Sequence, residues 1–221
     1  MKKKLLGIMV CAFAVAMALC LAGCSAAAPE PPQELQVVET GFQENEFGTT
    51  SFAVVVENPN EDVTAEFPTI TVTGYDADGN ILFSQDSLTD FVYAGEKAYF
   101  IGSDQASGVD HIEVQTTVSD ESWITVEDED KYSFEVTDLN PQTSEFGDMT
   151  FSGNVTNNSS KDVSSVLVDI LVRDENGTLL TGFSTYADNV PAGQSRTFTA
   201  YSLGEVPGYA SAEGYAELGY E

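Results

Sequence analysis

The chain repeats itself. Phe47-Gly48 returns as Phe146-Gly147, Ala94-Gly95 as Ala192-Gly193, and Phe100 as Phe198. Ile70, Val72 and Gly74 return as Val168, Ile170 and Val172, and Asp78-Gly79-Asn80 as Asn176-Gly177-Thr178. Glu57 to Val63 returns as Asn157 to Val163 with a one-residue slip. The spacing holds at 98 to 100 residues. Solenoid repeats are much shorter, so two copies at this length predict two tandem units of domain size.

Each copy reads as β. Val166, Val168, Ile170 and Val172 alternate with Leu167, Asp169, Leu171 and Arg173, which gives a strand with one apolar face and one mixed face. Asp174-Glu175-Asn176-Gly177 supplies a tight turn, and Thr178 to Phe183 pairs back. Phe151, Gly153 and Val155 mark an earlier strand, and Arg196 to Tyr201 a later one that follows the turn at Pro191-Ala192-Gly193. Six or seven such strands per copy, and no helical apolar stripe, predict an all-β fold of two Ig-like β-sandwich domains. The expected boundaries are 35–118 and 132–221. An acidic linker, 119–131, lies between them and carries Glu127-Asp128-Glu129-Asp130. Ile124 to Val126 is placed to add a short strand to the first sheet.

The order of signals in each copy is specific. An opening strand is followed by a strand ending in Asn-Pro-Asn or Asn-Asn, then Asp-Val, an alternating strand into Asp-x-x-Gly, and Ala-Gly before a Phe-bearing strand. This resembles the FxLYD-type and related Ig-like modules of bacterial surface lipoproteins. The stretches that correspond are Val72 to Asp76 and Ile170 to Asp174, where the first copy keeps the aromatic as Tyr75 and the second has Arg173. The resemblance implies a fold and a surface location, with no catalytic residues to transfer.

The N-terminus gives the address. Lys2, Lys3 and Lys4 precede an uncharged apolar run from Leu5 to Leu21, which ends in Leu21-Ala22-Gly23-Cys24. This is the layout of a secretory leader, and the run is short for a spanning helix. The last four residues resemble the lipobox of bacterial lipoproteins. That resemblance implies a signal peptide at 1–23 and a diacylglycerol on the Cys24 thiol, with the amine open to acylation such as by palmitate. Stable anchoring takes two or more buried acyl chains. Residues 24–34, lipidated at the front and rich in proline, form a tether whose ten residues after Cys24 reach roughly 30 Å in polyproline geometry. The expected location is the extracytoplasmic face of the cell membrane. Ser25 lacks the Asp that resembles an inner-membrane retention signal, which leaves the outer membrane open where there is one.

Charge and cysteine usage narrow the function. The leader holds three lysines and no acids, so the mature chain keeps 36 acidic residues against five basic ones, about −31. Such a surface repels nucleic acid and anionic lipid and suits a basic partner or cations, besides giving solubility. Cys11 and Cys20 lie in the leader and Cys24 is the lipid site, so no thiol is left for a disulfide, a nucleophile or a metal cluster.

No catalytic signature stands out. His111 is the only histidine; it follows Asp110, but zinc prefers several His or Cys and no second one accompanies it, so it reads as a surface strand residue. There is no Gly-x-Ser-x-Gly, no Ser-x-x-Lys and no phosphate loop. Asp76-Ala77-Asp78-Gly79-Asn80 invites a calcium reading through Asp76, Asp78 and Asn80. Its glycine falls at the fourth position rather than the sixth, with no acid at the twelfth, and a hairpin turn accounts for it. Trp123, the only tryptophan, either packs at the joint or is an exposed contact. Tyr209, Tyr215 and Tyr220, set among Gly and Ala, suit a contact surface for an envelope protein or a glycan, or else line a sandwich face. The expectation is a non-enzymatic, membrane-anchored binding module with no cofactor beyond its lipid. The alternative is a structural spacer without a specific ligand, calcium-stabilised or not.

Overall fold

The computed structural model describes residues 31–219, and every regular element longer than one turn in that range is a strand. The first copy supplies β1 (Gln36–Glu44), β2 (Thr50–Glu57), β3 (Thr64–Glu66), β4 (Thr69–Tyr75), β5 (Ile81–Leu88), β6 (Phe91–Val92), β7 (Lys97–Asp104), β8 (His111–Thr117) and β9 (Trp123–Ile124). The second supplies β10 (Phe134–Thr143), β11 (Met149–Asn157), β12 (Val163–Arg173), β13 (Leu179–Val190), β14 (Ser195–Tyr201) and β15 (Ser211–Leu218).

Pairing is antiparallel throughout, in five three-stranded sheets: β1-β2-β7, β5-β4-β8, β6-β3-β9, β10-β11-β14 and β13-β12-β15. The alternation read from the sequence decides which side chains face inward. In the first copy Phe52, Val54 and Val56 meet Ile70, Val72 and Phe100 in a buried core. In the second, Phe151 and Val155 meet Val166, Val168, Ile170, Val172 and Phe198. The described residues hold no cysteine, so apolar burial of this kind is their main favourable term.

The copies differ in one instructive way. β12 and β13 form one long hairpin, whereas the same stretch of the first copy is cut into β3 and β4 and into β5 and β6. The cut falls at Phe67-Pro68. Phe67 takes a positive φ of 50° and Pro68 has no N–H for a ladder bond.

A second difference conserves volume. Gly74 pairs with Phe83, and a Cβ at Gly74 would lie 2.2 Å from the Phe83 ring. The equivalent pair is Val172 and Thr181. One copy sets large against nothing and the other medium against medium, so both cores stay filled.

Residues 32 to 219 belong to one compact unit. The 119–131 segment, expected as a solvated linker, carries two 3-10 turns (Asp120–Ser122 and Asp128–Asp130) and β9, which pairs with β3. The first copy therefore runs on past Val118 to Ile124. The outer face of β1-β2-β7 lies on the outer face of β13-β12-β15. There Ala53 and Val55 meet Leu171 and Leu179, with Tyr99, Ile101 and Tyr215 around them. Gly41 of β1 permits the close approach, since a Cβ there would stand 2.4 Å from the carbonyl oxygen of Leu179.

Candidate functional site

The strands of both copies run between the same two poles. Glu57 and Lys97 pair at one end of the β1-β2-β7 sheet, and Asn157 and Phe134 at the same end of the second copy. At this pole the copies do not close against each other. They leave an open cleft of about 740 Å³. Its walls come from the Thr89 to Ala98 region, from Asp128 to Phe134, from the Asn158 to Ser160 turn and from the end of β15.

Two aromatic pairs line it. Phe91 stacks on Tyr93 with centroids 5.5 Å apart, and Tyr132 on Phe134 at 6.5 Å. The pairs are tied together by the Tyr132 N–H, which donates to the Tyr93 hydroxyl at 3.1 Å. Burial raises the Tyr93 hydroxyl above its ordinary pKa. Lys131 sits 5.6 Å over the Tyr93 ring and bonds Asp128 at 3.1 Å and Glu96 at 3.4 Å. Lys161 sits 5.4 Å over the Tyr132 ring. Both rings thus already receive an ammonium on one face.

The floor is acidic. Glu217 lines the cleft, and its carboxylate accepts a bond from the Thr89 hydroxyl at 3.2 Å. Behind it Asp169, 1% exposed, accepts from the Ser184 hydroxyl at 2.6 Å. Burial pushes the Asp169 carboxyl up to about 7. Burial and the neighbouring Asp169 and Asp90 push Glu217 up as well. Burial, then Glu66, raises Asp90. None of Asp90, Asp169 and Glu217 has an ion-pair partner among the described residues. A further cation lies along the joint. Arg173 is bonded to Glu39 of the first copy and to Glu213 of its own sheet at 3.0 Å, which holds it fully charged.

Of the aromatics singled out from the sequence, Trp123, Tyr209 and Tyr215 are part-buried and packed against neighbours. Trp123 lies on β9 against the first core. Tyr209 meets Phe151 edge-on at 6.4 Å. Tyr215 stacks on Tyr99 across the joint at 3.9 Å. Cys24 and Tyr220 lie outside the described residues. Among the described residues Phe47, Phe67, Phe146, Tyr186 and Tyr201 are exposed.

The loop considered for calcium is a closed hairpin turn. Asp76 Oδ1 accepts from the N–H groups of Asp78 and Asn80, Oδ2 accepts from the Asn80 amide, and Gly79 takes φ 81°. These donors lower the Asp76 pKa. Asp174 repeats the arrangement with Asn176 and Thr178. Among the described residues no group of three or more His, Cys, Asp or Glu could hold a metal ion. His111 stacks on Tyr75 at 5.1 Å on an exposed strand.

Sequence reasoning missed a polar clamp. Asn58 and Asn157 are fully buried. The Asn58 amide donates to the carbonyls of Val63 (2.8 Å) and Val92 (3.0 Å). The Asn157 amide donates to those of Lys161 (2.8 Å) and Val190 (2.9 Å). The signal lies in the repeat once its register is moved by one residue, since a spacing of 99 sets Asn58 on Asn157 where the 57–63 to 157–163 alignment sets it on Asn158.

No protein-family model matches the chain, and no curated protein matches it in sequence. Among solved structures it is similar to the exo-chitosanase CsxA of Amycolatopsis orientalis, at 17% identity and a TM-score of 0.21. That likeness covers 74% of this chain and 23% of the other. It is also similar to the C-terminal globular domain of an oligosaccharyltransferase from Pyrococcus abyssi, at 9% identity and a TM-score of 0.23. There it covers 79% of this chain and 40% of the other, so the chain spans well under half the length of either. Likeness at this level carries no argument about activity.

Proposed function

We propose that this chain is a lipid-anchored, extracytoplasmic protein of two Ig-like β-sandwich domains that acts by binding, without chemistry of its own. Its ligand seats in the cleft between the two copies. The observation that carries this reading is the cleft itself, about 740 Å³ and walled by one stacked aromatic pair from each copy. That volume falls in the usual range for small-ligand sites, roughly 300–1,000 Å³. Aromatic faces beside carboxylates suit a ligand that presents a cationic group. The leader, the Leu-Ala-Gly-Cys stretch and a mature chain without other thiols support the anchor.

Two experiments test the reading. Radiolabelled palmitate enters the wild-type protein and not Cys24→Ser. Thermal shift against polyamines, quaternary ammonium compounds and envelope glycans gives a rise in Tm that Tyr93→Ala abolishes. One observation favours a second reading, a surface spacer: Lys131 and Lys161 already cover the two tyrosine rings, as in a joint that is purely structural. No Tm response to any of the three ligand classes supports the spacer.

A further inference from the structure

The pole opposite the cleft carries the Glu-Phe-Gly that both copies repeat. Glu46-Phe47-Gly48 closes the β1–β2 hairpin, and Glu145-Phe146-Gly147 closes β10–β11. Gly48 and Gly147 take positive φ, 73° and 92°, which is what lets each tip turn tightly behind its phenylalanine. Phe47 and Phe146 are 69% and 79% exposed. The same apolar residue is held out at the tip in both copies.

The two tips flank one segment. The Asn45 amide donates to the carbonyl of Leu203 at 2.6 Å, and a Cβ at Gly204 would lie 3.6 Å from the Phe47 ring. On the other side the Gly204 N–H donates to Asp148 at 3.0 Å, and a Cβ at Gly147 would lie 3.2 Å from the Glu205 Cβ. Ser202, Gly204 and Val206 are buried, which turns Leu203 outward, 63% exposed. Phe47, Leu203 and Phe146 therefore share one surface. Tyr201, 64% exposed, sits two residues away.

Its rim has one sign of charge. Glu46, Glu145 and Glu205 are exposed and form no ion pair among the described residues. No Lys or Arg occurs in 42–52, 140–150 or 200–210. A second copy and an anionic bilayer would both bring like charge to this rim. The described chain begins at the other pole, where Gln33 bonds Asn60 beside the cleft end of β2.

We infer that the pole bearing Phe47, Leu203 and Phe146 is a docking surface for a protein partner that offers apolar pockets ringed by lysine or arginine. It is separate from the cleft, and it needs the anchor only for its direction, away from the membrane. Exposed aromatics with a charged rim are the usual make-up of an interface whose core supplies affinity and whose rim supplies steering.

The test places a photoreactive benzoyl-phenylalanine at Phe47, at Phe146 and, as control, at Leu88, 53% exposed on β5, in the full-length protein on cells of the source organism. The expected result is one shared protein adduct from both tips and none from Leu88. The cross-linked peptide, read by mass spectrometry, carries Lys or Arg around apolar residues. The triple variant Glu46→Lys, Glu145→Lys, Glu205→Lys lowers the adduct yield at least tenfold, with abundance and Tm unchanged. Adducts only to lipid, only to a second copy, or insensitive to the charge reversal overturn the inference. So does an equal yield from Leu88. Tyr93→Ala leaves the adduct in place, which separates failure here from failure of the cleft reading.

Discussion

Thr181 has a buried hydroxyl, 1% exposed as a residue, and no hydrogen-bond partner for it. Its equivalent in the first copy is Phe83, which fills the space above Gly74. A lone hydroxyl in an apolar core costs about 1–3 kcal/mol of desolvation. Thr181→Val keeps the shape and removes that cost. The expected outcome is a Tm higher by about 2–4 °C per kcal/mol gained, read by differential scanning calorimetry. Asn157 is the opposite case. Its amide satisfies two buried carbonyls, and its Oδ1 accepts from the Ser159 N–H at 3.0 Å. Asn157→Ala strands all three groups, and a loss of about 2–4 kcal/mol in a urea melt is expected. Asn157→Asp should cost a similar amount, since a carboxylate cannot donate to the two carbonyls.

At the scale of elements the joint depends on close backbone approach. Gly41→Ala places a methyl against the Leu179 carbonyl, a backbone atom that cannot swing away. The expected cost is about 1–3 kcal/mol. Hydrogen exchange should quicken first at β1 and β13, while β11 and β14 stay protected. How the joint forms was only half legible. Period 2 in Val166 to Val172 placed the inner face of that strand correctly. The unbroken run Phe52-Ala53-Val54-Val55-Val56 also signals a strand buried on both sides, as does Ile170-Leu171-Val172. The second buried face in each case is the one that meets the other copy. The length of the acidic run hid this, because charge pattern reports solvation and not whether the chain turns back. The clustering of Tyr93, Tyr132 and Glu217 was not legible at all, since they come from three distant segments and only the packing of the copies joins them.

For the molecule as a whole, the buried acids predict how stability follows pH. Asp169 of β12 has its carboxyl held up to about 7 by burial, against an ordinary 3.8. Glu217 of β15 is raised with it, and Asp90 and the tyrosines Tyr99 and Tyr215 complete the facing groups, with Arg173 and its two glutamates further along. In the unfolded chain both acids release their protons near pH 4. In the folded chain Asp169 keeps its proton to about pH 7. Between those values the native state binds more protons than the unfolded one, so stability falls as pH rises. Below pH 4 both states are protonated and Asp169 contributes no slope. The displacement of Asp169 is worth up to about 4 kcal/mol at full ionisation. The general repulsion of a chain near −31 has the same sign, so the wild-type slope alone does not isolate the pair. Asp169→Asn does. It leaves an acceptor for Ser184 and every surface charge in place. Melting curves from pH 5 to 8 should show wild-type Tm falling steeply and Asp169→Asn falling less, with the variant the more stable of the two at pH 8. Parallel curves would mean that Asp169 ionises as freely in the fold as outside it.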